Sequence, residues 1–130
     1  SFCAVDQPKV GNSIPLIPAI TGNIFYLRCH GRNIEKWKES IKNFGKPISY
    51  DLQNERYNYL YLPGEITEIE NSIREIYDKV KKIFIILNNH PQGNAVANAF
   101  EFMYLLNDHI KVKIPETTIK TFSRLEKIRA

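Results

Sequence analysis

The stretch Tyr26-Leu27-Arg28-Cys29-His30-Gly31-Arg32-Asn33 sets two guanidinium groups and an imidazole within five positions, at the end of an apolar run. A guanidinium grips phosphate or carboxylate through paired N–H donors, and an imidazole moves protons near neutral pH. If the run is a strand, Tyr26, Arg28 and His30 share one face while Phe25, Leu27 and Cys29 share the other. Near the start of the chain, Ala4 and Asp6 likewise oppose Cys3 and Val5. With the apolar sets packed under helices, Asp6, Arg28 and His30 are expected to converge at the C-terminal strand ends, where open α/β sheets and (β/α)8 barrels hold ligands. Two readings follow. In one, Arg28 and Arg32 form an anion pocket, Gly31 lets the backbone approach the ligand, and Asp6 and His30 handle protons. In the other, Arg28 pairs with Asp6 across neighbouring strands as a structural contact.

Further hydrogen-bonding groups stand at Asn88-Asn89-His90, ahead of Pro91 and Gly93. They either orient a ligand or tie down loops and cap the next helix. The register is open, because the preceding run is apolar on both faces. Asn88 and His90 join His30 if Phe84, Ile86 and Asn88 face inward, and Asn89 is the inward residue otherwise. Tyr57 and Tyr59 alternate with Tyr61 in a pattern that suits stacking on bases or sugar rings, or a packing cluster at a barrel rim. Asn98 lies within a helical pattern and reads as structural, as do Cys3 and His109.

Asp6, His30 and His90 are chemically suited to a metal, yet no local ligand motif such as H-E-x-x-H supports them. Cys29 falls on the apolar face away from His30, and no G-x-S-x-G occurs, which argues against a nucleophilic enzyme. Which cofactor, if any, the protein uses does not follow from the sequence.

Three short runs are expected to be the strands that position these groups: Phe2 to Val5, Ile24 to Cys29, and Ile83 to Leu87. Between the second and third, Ile34, Trp37, Ile41 and Phe44 predict a helix capped by Asn33 and stopped near Gly45 and Pro47. Ile66, Ile69, Ile73, Ile76 and Val80 predict a second, with Thr67 and Glu70 as a capping box. Both are expected to lay a face on the sheet. A third helix runs from about Ala95 to Leu106 behind an Asn94 cap, and Ile119, Phe122, Leu125 and Ile128 predict a docked C-terminal helix. Three prolines and two glycines make residues 7–23 a long ordered loop, with at most one helical turn. Strands separated by helical segments define an α/β class with parallel strands.

At 130 residues and 43% hydrophobic content the chain suits one globular domain rather than a disordered segment. A formal charge of +4 and an isoelectric point near 9.1 favour an anionic partner, small molecule or nucleic acid. Cys3 and Cys29 are the two cysteines, in no metal-binding or redox spacing, and no apolar run approaches the ~18 residues of a membrane span. A soluble cytoplasmic protein is expected. The apolar run starts directly after Ser1, which reads as methionine removal or truncation.

Asp6-x-Pro8, Tyr26-x-Arg28-x-His30-Gly31-Arg32-Asn33 with Trp37, Arg56-Tyr57-Asn58-Tyr59-x-Tyr61, and Asn88-Asn89-His90-x-x-Gly93-x-Ala95-x-x-Asn98-Ala99 occur in that order. In this the chain resembles the C-terminal half of the YecE-like proteins, the domain-of-unknown-function 72 family. The resemblance covers about residues 4 to 106. It implies a TIM-like (β/α)8 barrel of which this chain holds about the last three strands, residues 1–130 being a single partial domain. An N-terminal barrel half, or self-association, is then an expected partner. The expected function is acid/base catalysis on a phosphate-bearing or other anionic substrate, nucleic acid among the candidates. The alternatives are a non-catalytic module binding such a ligand and a split barrel inactive alone.

Overall fold

The computed structural model describes residues 2–130, so the reading of Ser1 lies outside the described residues. Three parallel strands, β1 (Cys3–Asp6), β2 (Ile24–Cys29) and β3 (Lys82–Leu87), form one sheet in the order β1-β2-β3. The register pairs Asp6 with Cys29 and Cys29 with Leu87. Paired residues of a parallel sheet share a face. One face therefore carries Ala4, Asp6, Phe25, Leu27, Cys29, Ile83, Ile85 and Leu87, and the other carries Val5, Tyr26, Arg28, Phe84 and Ile86.

The first of these faces is the core. Helix α3 (Pro63–Arg74) lays Ile66, Ile69 and Ile73 on it, each at most 1% exposed, and Phe102 of α4 (Asn94–Leu106) joins the same cluster. Burying an isoleucine side chain contributes about 2–3 kcal/mol, so these three residues are the main reason the α3 stripe stays docked. Among the described residues no helix covers the opposite face: Phe84 is 44% and Ile86 37% exposed.

Several local expectations are corrected. Helix α3 starts at Pro63, earlier than expected, and the Glu65 carboxylate accepts the Leu62 N–H at 2.8 Å, so Thr67 and Glu70 lie inside the helix rather than capping it. The helix also ends at Arg74, ahead of a 3-10 turn at Tyr77–Lys79. Asn33 does cap α1 (Ile34–Lys42), accepting from the Lys36 N–H at 3.2 Å, yet no residue of α1 is buried. Between β2 and β3, α3 already covers the sheet, and α1 with the short α2 (Tyr50–Asn54) stands apart from the core. Gly93, with φ +78°, occupies the cap position of α4, and Asn94 instead sits buried in the first turn and donates to Asn58 Oδ1.

Residues 7–23 form an ordered loop without helix whose Leu16 and Ile20 pack on the core. The C-terminal stretch docks as expected but as two pieces, α5 (Glu116–Thr121) and a 3-10 segment Ser123–Ile128. Ile119 and Leu125 join Ala97, Val112 and Ile114 in a second cluster. Arg124 pairs with Glu101 of α4 at 2.8 Å, fixing this tail to the body. Among the described residues no helix is long and apolar enough to cross a membrane.

Candidate functional site

Alternation along the strands sorts the polar residues into two clusters on opposite sides of the sheet. His30 follows β2 directly, and its N–H donates to the Asp6 carbonyl at 2.9 Å, so the ladder holds its backbone in place. Its ring lies 5.9 Å from that of Trp37 and 5.6 Å from that of Tyr57, and Tyr57 in turn lies 6.0 Å from His90. Arg28, on the same face, donates from Nε to Asn88 Oδ1 at 3.1 Å. This settles the open register: Phe84, Ile86 and Asn88 align with Tyr26, Arg28 and His30. The structure thus brings together Arg28, His30, Tyr57, Asn88 and His90.

Two residues complete this cluster that the sequence reading left out of the site, although both stood in the quoted motifs. Arg56 places its guanidinium carbon 5.4 Å from the Trp37 ring and 4.7 Å from the Tyr57 ring, distances suited to cation–π attraction. Its Nη1 donates to Ser40 Oγ at 3.1 Å. The available signal was an arginine beside a tyrosine, with a tryptophan one helix earlier.

Charge in this cluster is one-sided. Neither Arg28 nor Arg56 forms an ion pair among the described residues; their partners are an amide and a hydroxyl. His30 is held below its ordinary value of 6.5, first by burial and then by the positive charges of Arg28 and Arg56, with Asp6 opposing weakly. It is therefore a neutral imidazole at pH 7. Its Nδ1 is buried and finds no hydrogen-bond partner among the described residues, and the same holds for Arg56 Nε. His90 Nδ1 lies 3.0 Å from the Asn88 carbonyl oxygen, which can only accept. Nδ1 therefore carries the proton in that contact.

Asp6 and Arg32 lie on the other side. The expected convergence of Asp6 with Arg28 and His30 does not form, because the register places Asp6 beside Cys29 on the helix-covered face. Its structural partner is also different. Arg32, not Arg28, grips it in a fork, Nη2 to Oδ1 at 2.7 Å and Nε to Oδ2 at 3.1 Å. Tyr61 OH donates to the same Oδ2 at 2.6 Å and accepts the Gly31 N–H at 2.9 Å. Arg32 also reaches Glu65 and Glu68 at 3.4 Å, and Tyr59 OH donates to Glu65 at 2.7 Å. Burial first, then the hydrogen bond to Glu65, pushes the Tyr59 phenol up to about 12. The Cys29 thiol is pushed well up by burial and by Asp6, so it is inert as a nucleophile.

Gly31 serves this buried network rather than a ligand. It adopts φ +87°, and a Cβ there would meet Tyr59 Cβ at 2.8 Å. Asn89 also belongs on this side. It is fully buried and donates to the Tyr59 carbonyl at 2.9 Å and to Asn98 Oδ1 at 2.8 Å. Asp6, Arg32, Tyr59 and Asn89 are thus separated from the His30 cluster. So is any Asp6–His30–His90 metal set: among the described residues no three His, Cys, Asp or Glu side chains gather to hold an ion.

The family described as "Protein of unknown function DUF72" matches residues 1–121. The chain belongs to the DUF72 family. It is 29% identical over 104 residues to the UPF0759 protein YunF of Bacillus subtilis, covering 78% of this chain and 35% of that one. A DUF72 family protein from Thermotoga maritima superposes with a TM-score of 0.67 at 30% identity, over 82% of this chain and 36% of that one. A DUF72 family protein from Enterococcus faecalis does so with a TM-score of 0.61 at 26% identity, over 81% and 36%. The chain spans about a third of the length of these relatives. Its three parallel strands and the helices after β2 and β3 are a portion of the TIM-like (β/α)8 barrel of DUF72 proteins. In such a barrel the uncovered sheet face is the interior, so Arg28, Asn88, His30 and His90 stand on the inward face and at the C-terminal strand ends, the usual ligand position.

Proposed function

We propose that this DUF72 chain contributes the ligand-holding wall of a TIM-barrel enzyme that acts by acid/base chemistry on a phosphate-bearing or other anionic substrate. One observation carries the reading: a neutral imidazole, His30, is flanked by two arginines that no carboxylate among the described residues neutralises, and aromatic rings lie against it. Such an arrangement leaves the positive field available to an incoming anion, which would complete the charge balance that the protein leaves open. Arg28 and Arg56 would bind the anion and Asn88 would orient it. Tyr57 and Trp37 would pack against a ring of the substrate. His30, unprotonated at neutral pH, would accept a proton from the substrate, and His90 Nε2 is the second proton-handling atom at the same edge. Asp6 and Arg32, spent on each other, have no part in this scheme and keep a structural role.

The test is turnover of phosphodiester and sugar-phosphate substrates by the full-length protein. Arg28→Ala is expected to raise KM at least tenfold, and His30→Gln to lower kcat with little change in KM. Equal turnover by the wild type and both variants overturns the assignment. A non-catalytic binding module is the second reading, favoured by the lack, among the described residues, of a carboxylate base hydrogen-bonded to His30. It predicts salt-sensitive binding of the same ligands with no turnover at all.

A further inference from the structure

Arg56 belongs to two places at once. One side of its guanidinium lies against Trp37 and Tyr57 in the His30 cluster, and Nη1 reaches Ser40. Ser40 and Arg56 both line a separate open cleft of about 570 Å³, together with Asn43, Phe44, Lys46 and Gln53. No carboxylate lines this cleft among the described residues, so its charge is set by Lys46 and Arg56. Phe44 at its edge is 91% exposed, and Tyr50 nearby in sequence is 75% exposed. Pro47 and Ile48 also line the cleft but leave the Phe44 ring exposed, and an exposed ring in a cleft that holds two cations is the composition of a surface that stacks bases while its cations follow a phosphate backbone.

We propose that the cleft bounded by Phe44, Lys46 and Arg56 is a second phosphate subsite, and that the ligand is a single-stranded oligonucleotide running from the Arg28–His30 cluster across Arg56, with a base stacked on Phe44. This rests on the anion-site reading above and names its substrate class. A mononucleotide fills only the His30 cluster, whereas a chain of several nucleotides engages both places.

Titration of the full-length protein by fluorescence anisotropy, with labelled thymidine monophosphate and a labelled single-stranded octathymidylate, separates the two claims. The octamer is expected to bind at least 30-fold more tightly than the mononucleotide. Phe44→Ala with Lys46→Glu, both on the exposed surface, should remove at least tenfold of the octamer affinity and leave mononucleotide binding unchanged. The slope of log affinity against log salt should fall by about 0.7 for the lost phosphate contact. Arg28→Ala should weaken both ligands. Equal affinity for the two ligands, an octamer affinity indifferent to the double variant, or tighter binding of a duplex overturns the oligonucleotide proposal while the anion site stands. Failure of both ligands to bind, or indifference of both to Arg28→Ala, overturns both.

Discussion

Arg28 and Arg32 are four residues apart on the same strand exit, yet they have opposite surroundings. Arg32 meets three carboxylates, with Asp6 in a fork and Glu65 and Glu68 behind it. Arg28 meets one amide oxygen and no carboxylate among the described residues. Around the first arginine every strong donor has an acceptor, including Tyr61 OH and Gly31 N–H. Around Arg28, burial first and then the positive charges of Arg28 and Arg56 hold His30 below its ordinary value. A charge-balanced network under helices holds a fold together. A one-sided cluster at the strand ends leaves free energy to be gained from a ligand, and that difference, rather than the residue types, separates structural from functional chemistry here.

The contrast can be broken most sharply at Asp6. Asp6→Ala leaves Arg32 with one partner lost and Tyr61 OH without its acceptor, at a cost of about 3 kcal/mol in urea unfolding. Phosphate affinity of the folded fraction should be unchanged, and a loss of less than about 1 kcal/mol would mean that the network is not what holds β1 to the β2 exit. Gly31→Ala comes next, at about 2 kcal/mol, because the alanine must adopt a positive φ while its Cβ presses on Tyr59. Thermal denaturation measures it, and a neutral result would remove Gly31 from the packing argument.

Arg28→Ala should behave in the reverse sense. Stability is expected to stay within about 0.5 kcal/mol while phosphate affinity by calorimetry falls ~10-fold or more. Destabilisation comparable to that of Asp6→Ala would place Arg28 in the structural class. The smallest effect concerns His30. Its folded value lies below the ordinary 6.5, so between the two values the unfolded chain binds more protons, and stability falls as pH drops through that window. His30→Gln should flatten the dependence of unfolding free energy on pH in that range, whereas parallel curves for variant and wild type would show that His30 is not held neutral by its surroundings.

Much of this was legible in the sequence because strand alternation and helix periodicity are local rules. The split of Arg28 and His30 from Leu27 and Cys29 needed only the two-residue repeat of a strand, and the stripe Ile66, Ile69, Ile73 needed only the helical turn. Which face Asp6 shares with β2 was not legible, because that depends on the register between two strands joined by a long loop. The expectation that Asp6 sides with Arg28 assumed that polar residues of neighbouring strands group together. Packing decided otherwise, since Ala4 was needed against Leu27 and its alternation carried Asp6 with it. The role of α1 was missed for a similar reason. Its apolar spacing suggested a sheet-covering helix, but α3 holds that position, and Trp37 was left for His30 and Arg56.

By itself, then, the sequence determined the α/β class, the places of the three strands, the family resemblance, and the concentration of chemistry at residues 26–33 and 88–90. Those properties follow from side-chain type and spacing along a few residues. Tertiary structure alone decided that Asp6 and Arg32 satisfy each other, that Gly31 is filled by Tyr59 rather than by a ligand, and that Arg56 joins Arg28 around His30. Each of these is a contact across tens of residues, set by strand register and by which helix takes the sheet face, and neither is encoded in any local repeat.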